Sequence, residues 1–419
     1  MSMSDAVTAR AEWRSLRSLA SAGLSGVVGM VRDTHGAVTD RVEAALPPAA
    51  TPVMADQRGV TSRVYAAVDV ACRALPVGAA TTAALLAEGD PPAPSASPAG
   101  RAALAAANGL WGDRIRDQHP VLSVPMAVRV NGSDVPLDAE AVAAAFPDAT
   151  GDLVVFVHGL AEDDRSWDRQ HAASPPYPAL LRDEHDLNPV VVRYNSGLRI
   201  SENGRLLADL IEQLVGVWPI PVRSLSVVGH SMGGLVARSA CHSSAANGAA
   251  WVSTLTSVVT LGSPHVGAPL EKVVNVADWL LRRLPESEPW SRPLAARSVG
   301  VKDLRFGAVV DQDWLGHDPD ELLRDRCTEA PLPPHVRTYF VVGTLTDDPD
   351  HPLGRVVGDG LVSRSSAGGL GRTRRVAVDS DSAAHLGGAG HLSLLNHPDV
   401  SRHLARWLSS ERPQGGGTA

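Results

Sequence analysis

The residues best suited to covalent chemistry are Gly229-His230-Ser231-Met232-Gly233, a G-x-S-x-G pentapeptide whose flanks give it mechanical meaning. Upstream, Ser224 to Val228 is a short apolar stretch that reads as a buried strand; downstream, Gly234 to Cys241 reads as an apolar helix. A serine on a sharp strand-to-helix turn is a nucleophile elbow. The glycines allow a strained turn and close packing of the helix on the strand. The helix N-terminus then offers unpaired N–H groups to a developing oxyanion.

A serine nucleophile needs a base, a group that orients the base, and oxyanion donors. The first strand ends Val157-His158-Gly159-Leu160. A permissive glycine followed by a free backbone N–H at a strand end suits the second donor, so the oxyanion hole is assigned to the backbone N–H groups of Leu160 and Met232. His158 is expected to fix that loop through its ring. For the acid, Asp359 lies between glycines after a later strand, and Asp347, Asp348 and Asp350 compete from positions nearer that strand's end. Asp359 is preferred. For the base, His391 sits in a glycine-rich loop beyond the last strand, with His385 and His397 close in sequence. Chain order Ser, Asp, His favours His391.

Alternating strand and helix patterns must position these groups. Strands are predicted at Leu153–Val157, Val190–Tyr194, Leu225–Val228, Val258–Leu261, Thr338–Val342 and Arg375–Val378, giving βαβ units and a mostly parallel sheet. Met126 to Leu137, broken by Asn131-Gly132, predicts a hairpin leading into that sheet. The interval from Leu261 to Thr338 is too long for a simple crossover and implies an insertion over about residues 266–335. Residues 1–120 read as a helical N-terminal region with a Pro/Ser-rich linker near 90–98 and a short helix around Ala102–Leu110. The catalytic domain then spans 121–410, with a disordered tail over 411–419.

Composition narrows the function classes. The 419 residues carry a formal net charge of −8, which argues against nucleic acid and against a polybasic membrane patch. Hydrophobic residues make up 44 %, enough for a sizeable core. Cys72, Cys241 and Cys327 are too few and scattered for a disulfide framework or a zinc site. Reduced thiols and a cytoplasmic setting are expected, with a single Cys72–Cys327 or Cys241–Cys327 bridge as the alternative. Arg10, Arg14 and Arg17 before the apolar run Leu19–Val31 imitate a signal peptide, yet Glu12 interrupts the basic region and no small-residue cleavage site closes the run. An amphipathic helix is expected there, with export as the alternative. Val64–Leu86 contains Asp69, Arg73 and Pro76 and is not read as a membrane span.

Taken together, these motifs resemble the α/β-hydrolase superfamily, in its bacterial lipase and PGAP1-like lipase/esterase branch, over about residues 150–405. The resemblance rests on Val157-His158-Gly159-Leu160, Gly229 to Gly234, Leu261-Gly262-Ser263-Pro264-His265-Val266-Gly267-Ala268, Asp359-Gly360-Leu361-Val362 and Gly390-His391-Leu392. It implies an α/β-hydrolase fold, a mostly parallel sheet flanked by helices. It also implies a lid-like insertion, for which Val273–Leu284 supplies Ala277, Trp279, Leu280, Leu281 and Leu284 as an apolar stripe. Some lipases of this kind hold calcium through an aspartate two residues after the catalytic histidine; Ser393 stands there in this chain, which speaks against it.

The expected activity is carboxylic-ester hydrolysis through an acyl-enzyme, with Ser231 as nucleophile, His391 as base, Asp359 as orienter and no cofactor. The expected partner is a small-molecule or lipid ester; transient contact with a lipid surface and the oligomeric state stay open. The same triad would also serve an acyltransferase, a thioesterase or a polyester depolymerase. A different class, a lipid- or partner-binding protein working through the N-terminal helices, is the remaining alternative.

Overall fold

The computed structural model describes residues 8–20, short stretches between 29 and 40, and 93–410 apart from 170, 172, 284, 286, 349–350, 372–373 and 377–381. The helical pattern expected over 41–88, the tail over 411–419, Cys72 and Asp350 lie outside the described residues. The chain clusters into two units, one gathering Met1–Leu104, Arg114–Ser123 and Val273–Arg297, the other Ala105–Asp113, Val124–Lys272 and Ser298–Ala419.

In the second unit, eight strands form one sheet in the order β2-β1-β4-β3-β5-β6-β7-β8. These are β1 (Ala127–Val130), β2 (Ser133–Val135), β3 (Asp152–Val157), β4 (Asn188–Arg193), β5 (Ser224–His230), β6 (Leu255–Leu261), β7 (Arg337–Gly343) and β8 (Ala383–Leu386). The hairpin β1–β2 is antiparallel and turns at Asn131 and Gly132, both at positive φ, as a two-residue Asn-Gly loop requires. β1 pairs antiparallel with β4, and every pairing from β4 through β8 is parallel. This is the mostly parallel, helix-flanked sheet expected of the α/β-hydrolase fold.

The central strands are apolar on both faces because both faces are covered. Leu153, Val155 and Val157 of β3 join one core with Leu225 and Val227 of β5, while Val154, Phe156 and Val228 join the other. The first core is closed by α4 (Ile200–Val217) and α5 (Met232–Asn247), through Leu207, Ile211, Leu235 and Val236. The second is closed by α3 (Tyr177–His185) and α11 (Pro398–Ser410), through Tyr177, Leu181, Leu404 and Trp407. Phe156 is fully buried in the second core, and truncating it to alanine is expected to cost roughly 3–5 kcal/mol.

Two predicted elements need correction. Arg375–Val378 is not a strand within its described residues: Arg375 makes only an isolated antiparallel bridge to Leu370, and the last strand is Ala383–Leu386. Its Ala384 and Leu386 side chains reach the core, and parallel pairing to Phe340–Gly343 rather than local β-propensity defines it. The short helix expected at Ala102–Leu110 is α1 (Pro98–Gln118), capped by Ser97 Oγ accepting the Gly100 N–H and kinked at Trp111. The second unit takes in residues 105–113 of this helix.

In the first unit, residues 8–20 are helical, and Glu12 accepts hydrogen bonds from the Ser95 N–H and hydroxyl at 3.0 and 2.6 Å. The stretch expected as an apolar lid lies in α6 (Pro269–Leu281), where Val273 and Leu280 are exposed and the Arg283 guanidinium stacks over the Trp279 ring. Leu284 lies outside the described residues. Cys241 is a buried free thiol and Cys327 a partly buried one, so they are not bridged to each other. Among the described residues no helix is long and apolar enough to cross a membrane.

Candidate active site

Ser231 follows the last residue of β5 and precedes the first of α5, at φ 52° and ψ −122°. A non-glycine residue there is strained, and the strain persists because its surroundings fix it. The Ser231 N–H donates to the Leu261 carbonyl at 2.8 Å, which ties the turn to the end of β6. Gly233 answers a close approach: a Cβ there would lie 2.2 Å from the Val157 carbonyl oxygen, so the helix rests directly on the end of β3. Ser231 itself remains partly accessible.

The structure brings Asp359 and His391 together. Asp359 Oδ2 and His391 Nδ1 are 2.7 Å apart, with both side chains buried. The other carboxylate oxygen accepts the N–H groups of Leu361 and Val362 at 3.0 and 2.9 Å. Three donors therefore converge on one carboxylate and hold it in a single orientation. The two loops are also joined through the main chain, the His391 N–H donating to the Asp359 carbonyl at 2.9 Å.

Gly262, at φ 59°, stands where these loops meet the end of β6. A Cβ there would lie 3.0 Å from Asp359 Oδ2 and 3.3 Å from His391 Cε1. The residue before it, Leu261, is the acceptor for Ser231. The end of β6 thus accepts the Ser231 N–H, and the residue after it lies close to the side chains of Asp359 and His391. Neither Ser231 Oγ nor His391 Nε2 makes a hydrogen bond among the described residues, an arrangement common before substrate tightens a site.

The Met232 N–H opens α5, which has no side-chain cap, and the Leu160 N–H follows β3; neither has an intramolecular acceptor among the described residues. The loop carrying Leu160 is braced by its neighbours. Tyr194 donates its N–H to His158 Nε2 at 3.3 Å, so the remaining proton sits on Nδ1 and is donated to the Gly159 carbonyl at 2.9 Å. The Tyr194 hydroxyl donates to the His158 carbonyl, and the two rings stack at 4.4 Å. Burial lowers the His158 pKa and favours this neutral tautomer.

A second histidine–carboxylate pair, absent from the sequence reading, lies beside the first. Glu162 accepts the Gly159 N–H at 2.8 Å and pairs with His230 Nδ1 at 2.9 Å. The other nitrogen of His230 is 3.2 Å from the His391 carbonyl and donates to it. Burial alone would raise the Glu162 pKa, but the His230 charge and hydrogen bond, with the Gly159 N–H, bring it to about 2. Burial would lower that of His230, and Glu162 reverses this and raises it. The only signal available in the sequence was a histidine beside the nucleophile, whose partner is 68 residues away.

The competing residues serve elsewhere. His385 is on β8, its Nε2 2.9 Å from Thr344 Oγ1, and His397 Nδ1 accepts the Asp399 N–H at the start of α11. Asp347 lies against Gly387 and Gly388. Ser393 Oγ donates to the Gly390 carbonyl at 2.6 Å. Among the described residues, no three His, Cys, Asp or Glu side chains gather into a metal site.

Residues 184–285 match the model of a family described as the PGAP1-like alpha/beta domain. No curated protein matches the chain. Among solved structures, the chain is similar to the mature form of the Bacillus licheniformis lipase BlEst2, with 18 % identity over 68 % of this chain and 97 % of that one and a TM-score of 0.41. It is similar also to the metagenomic carboxyl esterase MGS0156, with 15 % identity over 74 % and 94 % of the two chains and a TM-score of 0.36. A third is the phospholipase PlaB from Legionella pneumophila, with 14 % identity over 63 % and 60 % and a TM-score of 0.36.

Proposed function

We propose that this chain, which carries a PGAP1-like alpha/beta domain within an α/β-hydrolase fold, is a serine carboxylic-ester hydrolase of the lipase/esterase kind. The observation that carries the reading is the strained Ser231 elbow tied through Leu261 to the end of β6, beside which Asp359 and His391 are hydrogen-bonded to each other.

In this mechanism Ser231 Oγ attacks the ester carbonyl while His391 Nε2 accepts its proton. Asp359 keeps the His391 proton on Nδ1 and stabilises the imidazolium that forms. The N–H groups of Leu160 and Met232 receive the oxyanion, and neither is spent on an internal acceptor among the described residues. Collapse of the intermediate expels the alcohol with the proton from His391, leaving an acyl-Ser231. Water, activated by the same imidazole, then releases the acid. No cofactor enters these steps.

The test is hydrolysis of p-nitrophenyl esters from acetate to palmitate, with Ser231→Ala as control. A long-chain optimum with a jump above the substrate's solubility limit would assign a lipase, and a short-chain optimum without the jump a carboxylesterase. Wild-type rates equal to the control on every ester would overturn ester hydrolysis and turn attention to thioesters, amides or acyl transfer.

A further inference from the structure

Arg238 on α5 and Arg374 are buried, and among the described residues neither guanidinium is hydrogen-bonded to a carboxylate. Arg238 donates to His265 Nδ1 at 3.2 Å and to the Ala330 carbonyl at 3.4 Å. Arg374 donates to the carbonyls of Thr328, His265 and Phe306. The Nε of each is buried without a partner. Asp313 favours the charged form of Arg238 from a distance, yet its own oxygens are taken by the Val309 and Val310 N–H groups and by the N–H and hydroxyl of Thr328. Burial, and then repulsion from Arg374, pull the Arg238 pKa down to about 10. Two buried cations without an anion between them are costly, and the cost falls when a counter-charge is supplied.

Beside them is a cavity of about 770 Å³, within the size range of small-molecule sites, lined also by Arg337, Arg375, His335 and Glu329. Among the described lining residues four arginines accompany one glutamate, in a chain whose net charge is −8. The glutamate opposes an anion, and the arginines outweigh it. The cavity is distinct from the elbow. Its lining takes in the amino end of β7, at Arg337 and Thr338, whereas Ser231 follows the carboxyl end of β5, and none of Ser231, Asp359 or His391 lines it.

We propose that this cavity is a binding site for a phosphate-type dianion, held by the guanidiniums of Arg238 and Arg374. A dianion matches the two uncompensated buried charges, whereas a monocarboxylate leaves one of them unmet. Guanidinium forks also present paired N–H donors with the geometry of phosphate oxygens.

The experiment is calorimetric titration of the full chain with inorganic phosphate, glycerol 3-phosphate and phosphatidic acid vesicles at fixed ionic strength, with acetate as control. Saturable binding of the soluble phosphates assigns a soluble ligand, and preference for the vesicles assigns a lipid headgroup; either supports the site. Arg374→Gln, or the exposed and structurally milder Arg375→Gln, should weaken binding by roughly tenfold or more. Arg402→Gln, on the exposed face of α11, should leave binding as in the wild type. No saturable binding to any of the three, equal binding of acetate, or binding that both Arg374→Gln and Arg375→Gln leave intact would overturn the proposal.

Discussion

Two histidine–carboxylate pairs stand side by side at the carboxyl ends of the strands, their imidazole rings 4.8 Å apart, and they are wired differently. In the Asp359–His391 pair one imidazole nitrogen is held and the other carries no hydrogen bond among the described residues. In the Glu162–His230 pair both nitrogens are engaged, one by Glu162 and one by the His391 carbonyl. The first pair therefore leaves one imidazole nitrogen open, as the proposed base requires. The second cannot change its protonation without breaking a bond that supports the Gly159 loop or the His391 loop. What separates the proposed proton carrier from the brace is the engagement of the last nitrogen, because both pairs are buried histidine–carboxylate contacts.

The comparison breaks first at the nucleophile. Ser231→Ala should lower kcat by about 10³-fold or more while leaving the unfolding transition in place, read by esterase kinetics beside circular dichroism. The two acids should then part company. Asp359→Asn puts an amide against His391 Nδ1 and is expected to cost about 10³-fold in kcat, whereas Glu162→Gln is expected to cost about tenfold, through loop position alone. Equal losses from the two substitutions would remove the distinction drawn here.

Gly262→Ala tests the meeting point of the loops. A methyl group at φ 59° presses on both Asp359 and His391, so kcat should fall with little change in KM. A normal kcat would mean that the triad does not need this approach.

Stability against pH should sharpen the role of the brace. Glu162, lowered from 4.5 to about 2, contributes stability that is complete above pH 4.5 and lost as pH falls through 2. His230, raised from 6.5, contributes stability that is complete below pH 6.5 and lost as pH rises through its elevated pKa. The Tm difference between wild type and Glu162→Gln should therefore be widest between pH 4.5 and 6.5 and shrink on either side. A difference independent of pH would contradict the ion pair. Smallest of all, Ser231→Gly should raise stability by about 1 kcal/mol in chemical denaturation by releasing the strained φ, at the expense of all activity.

Much of this was legible in the sequence because it is local. The elbow needs glycines at fixed offsets from Ser231, the hairpin needs Asn131-Gly132, and the central strands need apolar runs covered on both faces. β8 was misplaced because Ala383-Ala384-His385-Leu386 has little intrinsic β preference and owes its state to pairing with β7. Glu162 escaped notice because a glutamate in a loop after a strand reads as a solvated charge, and only the fold carries it to His230. Arg238 was hidden for a similar reason: an arginine in an apolar helix reads as its exposed face, yet here it is fully buried against His265.

The place of His391 beyond the last strand has a bearing on timing during synthesis. The proposed nucleophile leaves the ribosome long before its proposed base, and the strand that precedes that base, Ala383–Leu386, is the last to join the sheet in chain order. A nascent or clipped chain ending short of residue 391 would hold an elbow with no means of deprotonating it. In the proposed mechanism, hydrolytic power arrives only with completion of the catalytic unit, so a partly synthesised chain releases no acyl groups around it.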